Sequence, residues 1–512
     1  MNRIIKTPTK ISRPRKTALT ACLLLCSLSA WACSAPRTFN PGDPTSEEFY
    51  LQRVAAMLLG DLGATASVGG SVSGLVGTLG LTDGTETLTI TTDGNFTFAA
   101  ARALGAAFTV SGSRQPTGQL CEIQNGTGVV SGDSATAVNV SCRTVLYVGG
   151  AFGTYNGAAH TGLVRLSESG ATDSSFNTGT GFLGATSTVQ SVRDAGDGSG
   201  DVYVGGDFTT YQGAAANRIA RLNADGSADS TFASGSGFDG PVFALAPLND
   251  GTGRVYVGGD FNNYQGVARG KIVRLNPDGS VDETFNPGTG FDMGVRALVL
   301  ALDGSGDLYV GGDFTTYQGV GGKNRILRLN SDGSEDTGFA SSGGNNPVRG
   351  IAAAIDGSGA IYVGGEFTNF NSSPANRILR LNSDGSTDGG YTSGTAANGT
   401  VNAVAPANDG SGDIYLASNA SQYDGNFTFN MVRTNSNGSY DGGLGLSTGF
   451  NSETRAVYMA IDGSGTFYMG GGFTNFNGSG ANYIISLNSD GSVNTTFNFG
   501  TGFDADVITI GH

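Results

Sequence analysis

One feature constrains this chain more than any other: it repeats itself. Tyr-Val-Gly-Gly, or a close variant, begins at Tyr147, Tyr203, Tyr256, Tyr309, Tyr362, Tyr415 and Tyr468, in steps of 56 residues once and then 53 residues five times. Each unit holds the same pieces, as in the third copy. An apolar run Val242–Leu245 meets the turn Asp250-Gly251-Thr252-Gly253. The strand Val255–Gly259 follows, then a longer loop and Ile272–Leu275. The turn Asn276-Pro277-Asp278-Gly279 leads to a last short strand ending at Phe285. Four short strands in a unit of about fifty residues is the period of a β-propeller blade, with Gly-Gly closing the second strand.

The two ends of the array argue for a closed ring. The repeat opens at Val145 with a second strand and lacks the first strand that every later unit has. The chain finishes on Asp506-Val507-Ile508-Thr509-Ile510, which matches that missing strand (compare Val242–Leu245 and Val295–Leu298). A C-terminal segment that completes blade one removes both open sheet edges. The expected fold is all-β: a seven-bladed β-propeller over 144–512 closed by the C-terminal strand, with a small N-terminal β-sandwich over 66–143.

Composition agrees with that class. Glycine supplies 85 of 512 residues without a Gly-X-Y period, and hydrophobic residues at 38% suffice for a core. The formal net charge is −15. Six of the 28 basic residues lie in the first 32 positions, which contain no acid; without them 22 basic residues face 43 acidic ones, a net of −21. Such a surface repels phosphate backbones, so nucleic acid is not an expected partner.

Residues 1–32 read as an export signal: a basic stretch to Lys16, the apolar run Ala18–Ala30, too short to span a bilayer, and the small-residue junction Ala30-Trp31-Ala32. Cys33 follows directly, and this arrangement resembles the acylated first residue of bacterial lipoproteins. The resemblance implies lipidation at Cys33 and an exported outer-membrane or cell-surface lipoprotein held to the membrane by that anchor. Ala30 and Trp31 depart from the Leu and small residue usual there, so cleavage after Ala32 to a soluble secreted or periplasmic protein is the alternative. Residues 33–65 are expected to be a tether with one short amphipathic helix, capped at Asp43 or Thr45 and stopped by Gly60.

From 66 to 143 short alternating strands separated by turns such as Asp93-Gly94-Asn95 predict the β-sandwich. Cys121 and Cys142 remain after export, in an oxidising compartment with no histidine nearby, and are expected to form one structural disulfide. The stretch Pro116–Cys121 with the closing Val138–Cys142 resembles a small immunoglobulin-like module of bacterial surface lipoproteins, which implies a spacer.

The repeat itself, in Gly258-Gly259-Asp260-Phe261, Arg274-Leu275-Asn276 and Asp278–Phe285, resembles the bacterial delta-60 repeat, kelch-like in length. The resemblance covers about 370 residues. It implies a propeller at the bacterial surface and brings no reaction with it.

Several repeated positions are candidate sites. Arginine and aspartate stand eight residues apart six times: Arg165 with Asp173, Arg221 with Asp229, Arg274 with Asp282, Arg328 with Asp336, Arg380 with Asp388, and Arg433 with Asp441. Both change in the seventh blade, to Ser486 and Asn494. That spacing around an Asp-Gly turn predicts structural ion pairs across a hairpin. Exposed pairs contribute only about 0–1 kcal/mol each, so their repetition implies register control or partial burial. Asp207, Asp260, Asp313 and Glu366 follow Gly-Gly in blades two to five and form a candidate acidic arc; capping of local backbone N–H groups is the plainer reading. Tyr155, Tyr211, Tyr264, Tyr317, Phe370, Tyr423 and Phe476 are expected to pack between blades rather than to stack on sugars. The loop Asn223–Asp229 spaces oxygens somewhat as calcium loops do, yet lacks their dense acidic run, and a plain turn accounts for it.

No Walker loop, HExxH or Gly-x-Ser-x-Gly pattern occurs, no catalytic residue is assigned, His160 is read as a surface departure from the repeat, and no metal or cofactor is implied. The expected role is non-enzymatic: a monomeric cell-envelope propeller presenting a binding face to an extracellular protein or glycan. A propeller-type carbohydrate-active enzyme, glycosidase or lyase, is the alternative, and a calcium-dependent adhesin a second one. Non-repeated carboxylates and aromatics clustered in the axial funnel would favour the enzyme.

Overall fold

The computed structural model describes residues 65–131 and 135–512. The expected export signal, Cys33 and the expected tether helix lie outside the described residues. Every ordered element among the described residues is a strand.

Each blade is a three-stranded antiparallel sheet. In blade three the inner strand Val242–Pro247 pairs with the middle strand Val255–Gly259, which pairs with Ile272–Leu275. The expected fourth strand shrinks to one bridge, Leu275 to Val281, and the same reduction recurs in all seven blades. The middle strands are buried on both faces because blades stack on either side of them. Tyr256 and Val257 are fully buried.

Gly-Gly is what lets the blades approach. A Cβ on Gly258 would stand 2.5 Å from Val295 Cγ1 of the next blade, and one on Gly259 would stand 2.2 Å from the Pro241 carbonyl of its own. Blade six carries Ala417 and Ser418 instead, where the next blade offers Thr454 in place of valine. The Thr454 hydroxyl donates to the Asn430 carbonyl at 2.6 Å and accepts from Ser418 N–H at 2.8 Å.

The ring closes as the sequence requires. Val507–Gly511 lies antiparallel to the strand that opens the array, with Gly511 opposite Tyr147 and Ile510 opposite Val148. That opening strand is unusually long, Ala135–Gly150. Its first half belongs to the N-terminal module, parallel to Val68–Ser73 and antiparallel to Gln119–Gln124; its second half is the middle strand of blade one. The domain boundary read at 143/144 therefore lies inside one continuous strand, and the module is not a loosely tethered spacer. Its core gathers Val68, Leu81, Phe98 and Val138, and the Cys121–Cys142 disulfide bridges residues directly opposite each other.

The repeated arginines are interior, not surface, features. Arg165 is 1% exposed and places Nε 2.6 Å from Asp173 Oδ2. Arg274 stands 2.7 Å from Asp282, and Arg433 2.5 Å from Asp441. Each arginine does more than hold its hairpin. Arg274 lies over the Tyr256 ring at 5.3 Å and donates from Nη1 to the Ser331 carbonyl of the next blade at 2.7 Å. Blade seven, with Ser486 and Asn494, keeps only a 3.2 Å hydrogen bond between them.

All six expected Arg–Asp pairs stand within salt-bridge distance, but in blades four and five the aspartate shares its arginine. Asp336 and Asp388 are only half-buried, and neither holds its arginine alone. Arg328 reaches Asp303 at 2.5 Å and Asp307 at 2.8 Å, both closer than Asp336 at 3.2 Å. Arg380 stands 2.7 Å from Asp388 but also binds Asp356. The physical reason is a competing turn. Asp303 and Asp356 belong to the turn before the middle strand, which folds back over the arginine. In blade three the matching Asp250 is taken by Arg254 at 2.9 Å. Blades one and three also give the arginine a hydroxyl acceptor, Ser175 at 2.9 Å and Thr284 at 2.6 Å, where blades four and five carry Gly338 and Gly390. Asp336 and Asp388 then each cap their own turn, accepting from the Gly338 and Gly390 N–H groups at 2.8 Å. Blade two behaves alike: Arg221 lies 2.5 Å from Asp197 and 3.0 Å from Asp201, against 3.4 Å from Asp229.

Candidate functional site

The seven inner strands share an irregularity that builds a concave site common to all blades. Each carries a β-bulge near its start, at the third residue in blade two and the second in the others: the ladder in blade three steps from Val242 to Ala244, and in blade four from Val295 to Ala297. A bulge leaves the extra residue unpaired and re-aims its side chain. The bulge residues Gln190, Phe243, Arg296, Arg349, Asn402, Arg455 and Ile508 all line an axial cavity of about 440 Å³. They vary from blade to blade, with arginine in three of the seven. The position after the bulge is always small, from Ser191, Ala244 and Ala297 round to Thr509, and this keeps the channel open.

Guanidinium groups dominate the mouth. Arg296 binds Asp313 at 2.6 Å and lies over Phe243 with 5.0 Å to the ring centroid. Arg349 pairs with Glu366, and Arg455 with Glu453 and, at 3.1 Å, with Asp506. The Arg455 Nε is buried without a partner.

This geometry corrects the acidic arc. Asp207, Asp260, Asp313 and Glu366 do occupy equivalent rim positions, but each faces a base: Arg218 at 3.4 Å, Lys271 at 2.8 Å, and Arg296 and Arg349 as above. Four neighbouring rim positions thus hold ion pairs, not a bare anionic surface that would gather cations. Backbone capping belongs to another series. Asp239 Oδ1 accepts from the N–H groups of Asn262 and Asn263 at 2.8 and 2.9 Å, and Asp292 and Asp504 do the same in their blades.

The aromatic series is buried. Tyr264 is 1% exposed and donates to the Gly279 carbonyl at 2.7 Å, so it holds the Asp-Gly turn rather than offering a ring face to a ligand. In the loop Asn223–Asp229, Asp225 Oδ1 accepts both the N–H and the hydroxyl of Ser227, at 2.9 and 2.6 Å, and is thereby committed to its own turn. Among the described residues no group of three or more His, Cys, Asp or Glu is arranged to hold a metal ion. His160 is half-buried, and burial lowers its pKa.

The N-terminal module sits at the end of the ring away from the bulges. Gln115 N–H donates to the Gly198 carbonyl in the turn after blade two's inner strand, at 2.7 Å. A Cβ on Gly118 would stand 3.2 Å from His512 Cγ and 3.3 Å from Ile461 Cδ1. His512 in turn shares a hydrogen bond with Tyr458 through Nδ1, and burial together with the nearby Arg193 charge pulls it down to about 4. Residues 190, 193, 243, 296, 349, 402 and 455 escaped the reading of the sequence. Their signal was variation at two positions of the inner strands, the bulge and the place of Arg193, between repeated apolar residues.

An all-β ring of seven blades around a polar axial funnel defines the class: a seven-bladed β-propeller. Seven segments, 145–176, 198–232, 251–285, 304–339, 357–391, 410–443 and 465–497, match the sequence model of a family described as "Domain of unknown function (DUF5122) beta-propeller". No curated protein matches the chain in sequence. Among solved structures it is similar to a chain of the "Mitotic Checkpoint Complex" (15% identity, TM-score 0.41, 64% of this chain and 80% of that one). It is also similar to the WD40 propeller domain of Doa1 (14%, 0.30, 58% and 92%) and to a protein of unknown function from Bacteroides caccae (14%, 0.30, 57% and 93%).

Proposed function

We propose that this chain is an exported envelope protein that works by binding, and that its working face is the mouth of the axial funnel. The observation that carries the reading is positional. The N-terminal module, and with it the side from which an anchor at Cys33 would extend, packs on the hairpin-turn end of the ring. The non-repeated residues gather at the opposite end. A propeller held from one face displays the other.

Binding is favoured over hydrolysis by the state of the acids. A glycosidase needs two carboxylates free to act on a bound sugar. At this mouth Asp313, Glu366, Glu453 and Asp506 are each engaged by arginine. The partner is then an extracellular glycan or protein presenting polar groups to Arg349, Asn402 and Gln190.

The test is a glycan array and a surface-protein capture with the mature chain, run beside Arg349→Ala and Asn402→Ala. Ligands retained by the wild type and lost at least tenfold in either variant support the reading. Capture unchanged by both variants overturns the mouth as the working face. Mass spectrometry of Cys33 tests the anchor, and an unmodified N-terminus in the native host overturns it.

A further inference from the structure

The arginines of this protein are matched to acids almost wherever burial would make an unmatched charge costly. Arg165, Arg274 and Arg433 each have an aspartate oxygen within 2.7 Å. Even at the funnel mouth Arg296 and Arg349 have carboxylate partners. Among the described residues Arg325 and Arg377 are likewise half-buried without an acid, each giving Nη1 to a backbone carbonyl, but Arg193 is the unmatched arginine that lines the axial cavity. It is the sixth residue of blade two's inner strand, three residues beyond the bulge residue Gln190, and lines the axial cavity. At roughly 3.3 Å per residue it lies about 10 Å deeper than the mouth.

Among the described residues no carboxylate comes within ion-pairing distance of Arg193. The one bond shown for it is Nη1 to the carbonyl of its neighbour Val192, 2.7 Å. Its surroundings make room for it: a Cβ on Gly511 would stand 3.0 Å from that Nη1. Burial pulls the guanidinium below its ordinary range, the direction expected of a cation without an anion. Tyr458 and the His512 imidazole stand beside it, and neither of these side chains carries negative charge at neutral pH, since burial raises the one and lowers the other; the His512 main-chain carboxylate accepts from the Asp194 N–H at 2.7 Å instead.

A guanidinium kept in a channel without a carboxylate is a costly arrangement unless something anionic arrives to match it. Its planar fork suits a carboxylate or a phosphate, which it can meet through two parallel N–H···O bonds. We infer that the deep axial channel is an oxyanion site, with Arg193 as the anchor at its inner end and the mouth arginines as the approach. This rests on the funnel being the working face and names the chemistry it selects: the acidic end of a ligand, either a uronic-acid carboxylate or a phosphate. The overall negative charge would otherwise repel such a group, so the channel selects it against the surface.

The experiment titrates the mature chain with sodium glucuronate and with inorganic phosphate at constant ionic strength, by calorimetry and by thermal shift. One anion is expected to bind with one-to-one stoichiometry, and Arg193→Gln to weaken it at least tenfold. The tighter of the two probes identifies the source. Should Arg193→Gln fail to fold, Arg193→Lys keeps the charge without the fork and is expected to weaken binding several-fold. Absence of saturable binding by both anions, or equal binding by the Arg193 variants, overturns the site. The two readings fail separately. A macromolecular partner lost in Arg349→Ala but indifferent to Arg193→Gln sinks the oxyanion site alone. A small anion lost only in the Arg193 variants, with capture unchanged at the mouth, sinks the display reading alone.

Discussion

Tyr147 lies directly across an antiparallel ladder from Gly511, next to the last residue of the chain, although 364 positions separate them. This pairing converts seven units into a ring. Val507 and Ile510, both essentially buried, fill the gap between blades seven and one. Ending the chain after Ala505 removes them, exposes the edge of Ala135–Gly150 and opens the funnel wall at Ile508. Each lost large aliphatic contact costs about 2–5 kcal/mol. Denaturant unfolding should therefore lose its single cooperative transition. Retention of the full-length midpoint would mean that the ring does not depend on this closure.

Arg433 and Asp441 form an ion pair that blade seven replaces with Ser486 and Asn494. Arg433→Ser alone leaves Asp441 and, 3.6 Å away in the intact protein, Asp413 without their cation. Breaking one side of a buried pair costs about 3–5 kcal/mol. The double change Arg433→Ser, Asp441→Asn gives the pair the residues of blade seven, leaves only Asp413 uncompensated where blade seven has Thr466, and should be less damaging than the single change by at least about 1 kcal/mol, a coupling within the range of contacting residues. Additive losses in a double-mutant cycle would show that the two side chains act independently.

Gly258 is specified by its neighbour across the blade interface. Alanine there would press 2.5 Å against Val295 Cγ1, and overpacking of this kind costs about 1–3 kcal/mol. Ala417 occupies the equivalent place in blade six, opposite Thr454, so Ala417→Gly should change stability far less than Gly258→Ala. The two urea midpoints decide this, and equal shifts would remove the steric account of the Gly-Gly motif.

These interfaces show which parts of the fold were legible in the sequence. The period, the Gly-Gly approach and the closure could be read because each is a local pattern repeated in register or visibly missing at one end. The acidic arc misled because the bases that face it come from different places: Arg218 and Lys271 lie eleven residues after their acids, Arg296 and Arg349 seventeen before theirs. Asp336 and Asp388 pair with their arginines as expected, but the rival acids Asp303 and Asp356 were not legible, since they stand more than twenty residues before Arg328 and Arg380. The funnel was hidden for another reason. A bulge looks like ordinary alternation in a one-dimensional pattern, and only the pairing of Val242 with Gly259 and Ala244 with Gly258 shows Phe243 to be the extra residue. The reduction of the fourth strand to one bridge was equally invisible: in blade three that edge keeps only the backbone bonds flanking the bridge, Asp282 N–H to the Arg274 carbonyl at 2.9 Å and Asn276 N–H to the Ser280 carbonyl at 2.8 Å.

Asp194 follows Arg193 and accepts the Gly196 N–H at 2.8 Å; burial, with the charges of Asp197 and Asp201, pushes its carboxyl up to about 6. A carboxyl whose folded value lies above its unfolded value favours the folded state while protonated. Its contribution is therefore complete below the ordinary carboxylate value and is lost as pH climbs through 6. Asp194→Asn should leave stability unchanged near pH 4 and gain about 1–2 kcal/mol over the wild type by pH 7, the figure reduced because the group is partly exposed. A difference that does not vary with pH would assign the effect to packing instead.

The strand Ala135–Gly150 carries ladders on both sides of residue 143: Cys142 faces Cys121 in the module, and Leu146 faces Leu166 in blade one. At the junction Arg143 joins the two bodies, with Nη1 2.8 Å from Asp173 of blade one and Nη2 3.2 Å from Glu122 of the module. Leu120 adds an apolar contact onto the core between blades one and two. One backbone thus transmits register from the module to the ring, and the two should unfold as a single unit. A short Gly-Ser insertion between Arg143 and Thr144 breaks that continuity while leaving each core intact. It is expected to split calorimetric unfolding into two transitions, the smaller one sensitive to reduction of Cys121–Cys142, a bridge of the kind that contributes about 2–4 kcal/mol. If the uninterrupted chain already melts in two steps, the shared strand does not couple them. The module would then be a passenger on the ring, and its seat against His512 would no longer fix which face of the propeller is displayed.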